Sequence, residues 1–232
     1  MAATTVIGDV PYLGEGREEA LDLYLPTGDA TRPRPAMVVI HGGGFCGADK
    51  ADPRERSICE VLSGAGYVCA SINYALATRE DRWLAYPRNL IDAKSAVAFL
   101  RQRACEYGID ADRIGAIGGS AGGTLSLWLA LTAARHDLRP PDLAADTSVA
   151  VQVAVNLYGP TDFSQPLPFT TPANLVTDAS PLHQVGPGAP PILTVQGTGD
   201  ELVSPEHARM LHEALGRAGV RNQLKLVPGG KH

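Results

Sequence analysis

Short apolar runs alternate along the chain with longer segments whose apolar residues recur at helical spacing. The run Ala36-Met37-Val38-Val39-Ile40 is apolar throughout, as in a parallel strand that is buried on both faces. Other runs are bounded by turn residues such as glycine and proline, which mark the ends of strands. The pattern predicts strands over residues 20–25, 36–40, 67–74, 114–117, 149–157, 192–195 and 223–227.

Helices are predicted between these strands. One covers residues 53–65, with Asp52 as its N-cap and Pro53 at its first position. Others cover residues 87–107 and 124–134, and a last one begins after Ser204 and closes at Gly219. The segments 27–35 and 159–190 are predicted to be irregular. Strands that alternate with helices predict an α/β fold, a mostly parallel sheet with helices on both faces.

Composition narrows the class of protein. The 232 residues fit one domain, and a net charge of −5 without a basic stripe argues against nucleic-acid binding. No apolar stretch approaches the ~20 residues of a membrane span, and residues 1–6 carry no signal-peptide pattern. We therefore expect a cytoplasmic protein that does not bind membranes. The four cysteines lack metal-ligand spacing and are expected to be buried free thiols; they are Cys46, Cys59, Cys69 and Cys105.

The sequence Gly118-x-Ser120-x-Gly122 lies between a predicted strand and a predicted helix. Glycines on both sides allow a tight turn that would project Ser120 above the sheet, near the N-terminus of the following helix. That is a suitable place for a nucleophile whose reaction creates an anion. The motif alone is also compatible with a tightly packed glycine-rich turn or a phosphate site.

A second glycine run, Gly42-Gly43-Gly44, follows the buried strand 36–40. Glycines there let backbone N–H groups point into a cavity, where they can stabilise the oxyanion of acyl transfer. A flexible loop is the alternative interpretation. If Ser120 is a nucleophile, the expected oxyanion donors are the N–H groups of Gly43, Gly44 and Ala121.

A nucleophilic serine needs a base and an acid that orients the base. His232 follows the last predicted strand in a Pro-Gly-Gly turn, and Asp200 follows the strand 192–195, so both fall at the same sheet edge as Ser120. The order Ser120, Asp200, His232 is that of hydrolases of this fold class. Asp162 is a competing acid and Glu201 a weaker one. His41 is expected to brace the glycine loop, and the other histidines are expected to be surface or packing residues; they are His136, His183, His207 and His212.

These motifs together resemble the α/β-hydrolase esterases with an HGGG oxyanion motif. The resemblance rests on His41-Gly-Gly-Gly-Phe45, Gly-Gly-Ser120-Ala-Gly-Gly, Gly-Thr-Gly-Asp200 and Pro-Gly-Gly-Lys-His232. Gly119 and the segment 86–92 are most similar to the bacterial feruloyl and acetyl-xylan esterase-like branch, BD-FAE. The resemblance implies a serine carboxylester hydrolase without metal or organic cofactor. It implies small acyl or aryl esters as substrates, including esters on decorated sugars.

The sequence departs from this family in two places. The segment 159–190 is short for a lid, so we expect an open site with Phe45, Leu167 and Phe169 as walls. The family continues past its histidine into a helix, whereas this sequence stops at His232. We expect either a truncated chain or a homo-oligomer in which a partner covers the sheet. For a complete monomer we expect weak activity, because the α-carboxylate of His232 itself favours the imidazolium form of its ring.

Two alternatives remain open at the level of sequence. An arylformamidase or a peptidase of the prolyl-oligopeptidase type would use the same triad on an amide. A binding protein on a hydrolase scaffold would hold a ligand without turning it over. The fold does not decide among them, because function is determined by the site.

Overall fold

The computed structural model describes residues 4–28 and 32–232. Residues 29–31 of the irregular segment predicted at 27–35 therefore lie outside the described residues. The described strands are β1 (Thr4–Pro11), β2 (Ala20–Pro26), β3 (Arg34–Ile40), β4 (Val68–Ile72), β5 (Ile109–Gly119), β6 (Ala154–Leu157), β7 (Ile192–Gly197) and β8 (Asn222–Val227). The helices are α1 (Pro53–Gly64), α2 (Arg88–Gln102), α3 (Ala104–Tyr107), α4 (Ala121–Leu131), α5 (Ala173–Ala179) and α6 (Pro205–Arg217).

The described strands form one sheet in the order β1-β2-β4-β3-β5-β6-β7-β8. The β1–β2 and β2–β4 pairs are antiparallel, and every pair from β4 and β3 onward to β8 is parallel. The carboxyl ends of β3, β5, β6, β7 and β8 therefore point to the same edge. The predicted α/β architecture with a mostly parallel sheet is confirmed.

Helices cover both faces of the sheet. Along β3, Val38 and Ile40 belong to the larger core that includes residues of α2 and α4, whereas Met37 and Val39 pack with Cys59 of α1 in a smaller cluster. All four side chains are almost or completely buried. This two-sided burial explains why β3 is apolar at successive positions rather than at alternate ones.

Several predicted elements have different bounds in the structure. β1 escaped prediction because it is an edge strand with exposed residues at most positions, and apolar Val6 and Ile7 both face solvent in part. The run predicted as a strand at 149–157 forms a strand only over β6. The helix predicted at 87–107 is divided into α2 and α3 at Arg103. The serine cap of α6 is confirmed, because Ser204 accepts a hydrogen bond from the Glu206 N–H.

Asp52 occupies the N-cap of α1 and Pro53 begins the helix, as predicted, although the Asp52 side chain makes no capping hydrogen bond to that helix. The expectation that all four cysteines are buried is wrong in part. Cys59 and Cys69 are buried free thiols as expected, whereas Cys105 is exposed and Cys46 is half-buried. Cys105 lies on α3, a single helical turn at the surface, where helical spacing does not imply burial.

Candidate active site

Ser120 stands at the turn that joins β5 to α4. Its backbone adopts φ 55° and ψ −122°, a strained conformation for a residue with a side chain. The turn is fixed from both sides, because the Ser120 N–H donates to Leu157 O at 2.8 Å and the Thr124 N–H donates to Ser120 O at 3.1 Å. Since α4 starts at Ala121 rather than at the predicted residue 124, Ser120 lies directly at its N-terminus.

Glycines around Ser120 allow the backbone segments to approach closely. A Cβ at Gly122 would overlap Ile40 O and would lie 2.6 Å from His41 O. A Cβ at Gly118 would lie 2.7 Å from Ile40 O. Both positions therefore require glycine for packing rather than for flexibility, and this packing sets the turn against the carboxyl end of β3.

The structure brings Ser120, His232 and Asp200 together from three separate parts of the chain. Nε2 of His232 lies 2.9 Å from Oγ of Ser120. Nδ1 of His232 lies 2.8 Å from Oδ2 of Asp200. These distances form a continuous hydrogen-bonded series from serine through imidazole to carboxylate, which is the geometry of a nucleophile, a base and an orienting acid.

The Asp200 carboxylate is buried and fully hydrogen-bonded. Oδ1 accepts the N–H groups of Leu202 and Val203, each at 2.9 Å, and Oδ2 accepts from Gln196 Nε2 at 3.0 Å. Burial acts to raise the pKa of Asp200, but the hydrogen bonds from Val203 and His232 outweigh it and leave the pKa below its usual value. Asp200 is therefore an anion at neutral pH, and the neighbouring ring donates to it through Nδ1–H.

Gly43, Gly44 and Ala121, the three residues predicted to donate to an oxyanion, line the same cleft as Ser120. Gly43 and Gly44 have φ of 87° and 61°, and these left-handed conformations turn the glycine loop toward the cleft. Among the described residues, no acceptor is recorded for the N–H groups of Gly43, Gly44 or Ala121. The three residues therefore share one cleft with Ser120, and their role as oxyanion donors stays a prediction.

His41 lies below the glycine loop and does not contact Ser120. Its ring is buried and stacks on Tyr74, with 4.3 Å between ring centroids, and Nδ1 lies 3.1 Å from Gly42 O. The Tyr74 hydroxyl donates to His41 O at 2.9 Å. Burial lowers the pKa of His41, which keeps the ring neutral. These contacts fix the start of the loop.

The alternative acids lie away from His232. The Asp162 carboxylate accepts from the N–H and hydroxyl of Ser164, at 2.9 and 2.7 Å. The Glu201 side chain is exposed. His207 is buried and accepts the backbone N–H groups of Thr161 and Asp162 through Nδ1, so it is a packing residue.

A cleft of about 340 Å³ opens in front of Ser120. Phe45, Leu167 and Phe169, the three predicted wall residues, line it, and half-exposed Leu202 lies at its rim. Phe45 also packs against Trp128 of α4, with ring centroids 5.8 Å apart, so this wall is continuous with the core. The segment between β6 and β7 holds only α5 and a short 3-10 helix (Pro181–Gln184) in the described chain, which agrees with the expected minimal cap.

Sequence reasoning missed four residues around the site. Gln196 helps to hold Asp200, and the Tyr158 ring meets the His232 ring edge-on, with centroids 5.0 Å apart. Arg54 and Arg82 line the cleft. Tyr158 follows β6 at the carboxyl edge of the sheet, a placement that could have identified it. The two arginines carry no comparable signal in the sequence.

Within residues 4–28 and 32–232, no group of three or more His, Cys, Asp or Glu side chains is arranged to hold a metal ion. None of the helices described for this chain combines the length and apolar character needed to cross a bilayer.

The parallel sheet, the serine turn between β5 and α4 and the hydrogen-bonded Ser-His-Asp series define an α/β-hydrolase fold. The BD-FAE family model matches residues 21–215, and the chain belongs to this family.

Two of the relatives in sequence are described as an esterase and a probable carboxylic ester hydrolase. The chain is 34% identical over 221 residues to the probable carboxylic ester hydrolase LipM of Mycobacterium tuberculosis, an alignment covering 87% of the chain and 50% of LipM. It is 31% identical over 229 residues to esterase LipQ of the same organism, covering 91% of the chain and 53% of LipQ. The chain thus spans about half the length of these two relatives.

Solved structures with this fold also include esterases. Thermogutta terrifontis esterase 2 phosphorylated by paraoxon matches with a TM-score of 0.82 and 29% identity, over 100% of this chain and 84% of that one. A truncated form of a carbohydrate esterase from gut microbiota matches with a TM-score of 0.86 and 26% identity, over 98% and 89% of the two chains.

Proposed function

We propose that the chain is a serine carboxylester hydrolase in which Ser120 is the nucleophile, His232 the general base and Asp200 the acid that orients it. The observation that carries the proposal is the unbroken series of hydrogen bonds from Ser120 Oγ to the Asp200 carboxylate. Membership of the BD-FAE family and the esterase relatives support the same reaction class.

In the proposed mechanism, Nε2 of His232 takes the hydroxyl proton as Ser120 Oγ attacks the ester carbonyl. The oxyanion of the tetrahedral intermediate accepts hydrogen bonds from the N–H groups of Gly43, Gly44 and Ala121. The imidazolium, stabilised by Asp200, then protonates the departing alkoxide as the ester C–O bond breaks. Water, deprotonated by the same imidazole, attacks the acyl-serine and releases the acid.

Small esters are the proposed substrates, including acetyl or feruloyl groups carried by sugars. A cleft of about 340 Å³ with mainly apolar walls accepts a short acyl chain or one aromatic ring. The carbohydrate esterase among the similar structures supports a sugar as the alcohol. Turnover of acetylated or feruloylated oligosaccharides at a rate far below that of small aryl esters would contradict this part of the proposal.

The experiment is labelling with a fluorophosphonate probe, followed by location of the label by peptide mass spectrometry. A phosphorylated esterase among the similar structures supports the choice of an organophosphorus probe. The expected result is a label on Ser120, none on Ser120→Ala, and hydrolysis of para-nitrophenyl acetate that this substitution abolishes. Ser126, buried on α4, provides the control Ser126→Ala, which should retain the label. If neither the unsubstituted protein nor Ser126→Ala is labelled, the result would favour ligand binding without turnover. Hydrolysis of formamides or peptides that is faster than hydrolysis of esters would favour an amidase.

A further inference from the structure

The Ser120 cleft has two cationic side chains in its lining, and they differ in their pairing. Arg54 lies 2.8 Å from Glu55, a carboxylate that is almost completely buried, and donates to the Tyr158 hydroxyl at 3.0 Å. Its charge is therefore compensated within the protein. No carboxylate lies within ion-pair distance of Arg82 among the described residues. Oδ1 of the neighbouring Asp81 accepts a hydrogen bond from the Trp83 N–H at 3.0 Å.

The Arg82 side chain is held in place although it has no counter-ion. Nη1 donates to Gly44 O at 3.0 Å, and the guanidinium carbon lies 5.3 Å from the centroid of the Phe169 ring. The guanidinium also fills the space that a side chain at position 44 would need. Nε and Nη2 have no hydrogen-bond acceptor among the described residues, so two nitrogens of the planar fork, with three N–H groups, remain available.

An uncompensated arginine in an apolar cleft is suited to one kind of ligand. Phe45, Leu167 and Phe169 place apolar side chains in the same lining, and a charge–charge interaction beside apolar groups is stronger than in bulk solvent. The guanidinium fork matches a carboxylate geometrically and binds it more strongly than a neutral oxygen. The Asp200 carboxylate does not compete, because its side chain is fully buried behind His232.

Building on the proposed esterase function, we propose that Arg82 is an anion subsite and that, among small esters, the site prefers those carrying a carboxylate on the acyl or the alcohol part. The Arg82 guanidinium binds that carboxylate while the ester carbonyl lies at Ser120. The alternative role for Arg82 is only to hold Gly44, in which case charged and neutral esters depend on it equally.

The test compares matched anionic and neutral esters. In para-acetoxybenzoate and para-acetoxybenzamide, the carboxylate and its neutral replacement lie on the alcohol part of the ester. In the mono-para-nitrophenyl ester of adipate and para-nitrophenyl heptanoate, they lie on the acyl part. We expect Arg82→Gln, which retains a donor toward Gly44 O, to lower kcat/KM for the anionic member of at least one pair about tenfold more than for its neutral partner. Arg82→Lys should keep most of the preference, because it keeps the charge.

The control is Arg113→Gln, which changes the net charge equally but alters an exposed arginine in the first half of β5. It should leave every kcat/KM ratio unchanged. Equal losses on charged and neutral esters in Arg82→Gln, or the same selective loss in Arg113→Gln, would overturn the anion subsite. Fluorophosphonate labelling of Ser120 separates these results from failure of the esterase proposal: an unlabelled, inactive unsubstituted protein overturns both proposals.

Discussion

The two oxygens of the Asp200 carboxylate have different partners. Oδ1 accepts the two backbone N–H groups of the loop after β7, whereas Oδ2 accepts from Gln196 and faces His232. The loop and Gln196 fix the plane of the carboxylate, and the remaining direction selects the imidazole tautomer with a proton on Nδ1. In the proposed mechanism this tautomer leaves Nε2 free to take the Ser120 proton.

Replacing Asp200 with asparagine should lower kcat on para-nitrophenyl acetate about 10⁴-fold, because the amide can hold the wrong imidazole tautomer. The control is Asp162→Asn, since the asparagine oxygen can still accept from Ser164. It should retain near-normal kcat. Comparable losses in the two variants would show that Asp200 is not the orienting acid.

Buried histidines give the protein a sensitivity to acid. Burial lowers the pKa of His207, and the nearby Asp162 and Asp200 oppose this effect only in part. Below about pH 6.5 the unfolded chain binds a proton at this position that the folded chain does not bind, so stability falls as pH falls toward the lower, folded-state pKa. For one such group, the free energy of unfolding changes by at most about 1.4 kcal/mol per pH unit.

His207→Asn should therefore flatten the decline of the unfolding free energy below pH 6.5. The asparagine Oδ1 can replace Nδ1 as the acceptor for the Thr161 and Asp162 N–H groups. Urea unfolding at pH 7.5, 6.5 and 5.5 measures the effect, with exposed His136→Asn as the control. An unchanged slope in His207→Asn would rule out this source of the pH dependence.

At the scale of elements, the contact between α4 and β3 determines where Ser120 stands. It depends on Gly122, whose α-carbon lies against the carbonyls of Ile40 and His41 at the end of β3. A methyl group there cannot be accommodated by rotation of a side chain, because both neighbours are backbone atoms. The helix would have to move away from β3, the strand that leads into the glycine loop.

Gly122→Ala should destabilise the protein by about 3 kcal/mol or more. Gly216→Ala is the matched control, because Gly216 lies inside α6 with open space around its α-carbon. It should stabilise the protein by about 0.5–1 kcal/mol. Chemical denaturation of both variants measures the difference, and equal midpoints would contradict the proposed contact.

The same elements explain how far sequence reasoning reached. The meeting of Ser120, Asp200 and His232 at one sheet edge could be predicted, because each follows a predicted strand and parallel strands bring their carboxyl ends to one edge; their catalytic roles stay a prediction. β1 could not be predicted, because its residues are largely exposed and show no alternation. Arg82 lies in an irregular segment, so its orientation toward the cleft depends on packing against Gly44 and Phe169.

At the scale of the whole molecule, the site joins the middle of the sheet to its edge. Ser120 follows central β5, whereas His232 follows β8, which pairs only with β7 in the described chain. The turn after β8 is tied to the loop after β7 by hydrogen bonds, among them those from the Gly199 N–H to Gly230 O and from the Thr198 N–H to Val227 O, but most of its residues are exposed. Edge elements of this kind open at lower free energy than a central strand.

We therefore expect hydrolytic activity to be lost at a lower urea concentration than the far-ultraviolet circular dichroism of the sheet. Hydrogen exchange should show β8 amides exchanging faster than those of β3, which lies at the centre and is buried on both faces. β3 serves as the internal control. Coincident loss of activity and of circular dichroism would mean that the edge and the centre unfold as one unit.

Part of the cleft wall and the proposed reacting groups come from different parts of the architecture. Ser120, Asp200 and the glycine loop are held at strand ends by backbone hydrogen bonds and close packing, whereas Leu167 and Phe169 belong to an irregular segment between β6 and β7. Under the proposed function, this part of the wall is encoded in a different stretch of the gene from the reacting groups. Exchange of the 159–190 segment alone would then offer evolution, or a protein engineer, a route to new esters while the proposed catalytic residues stay unchanged.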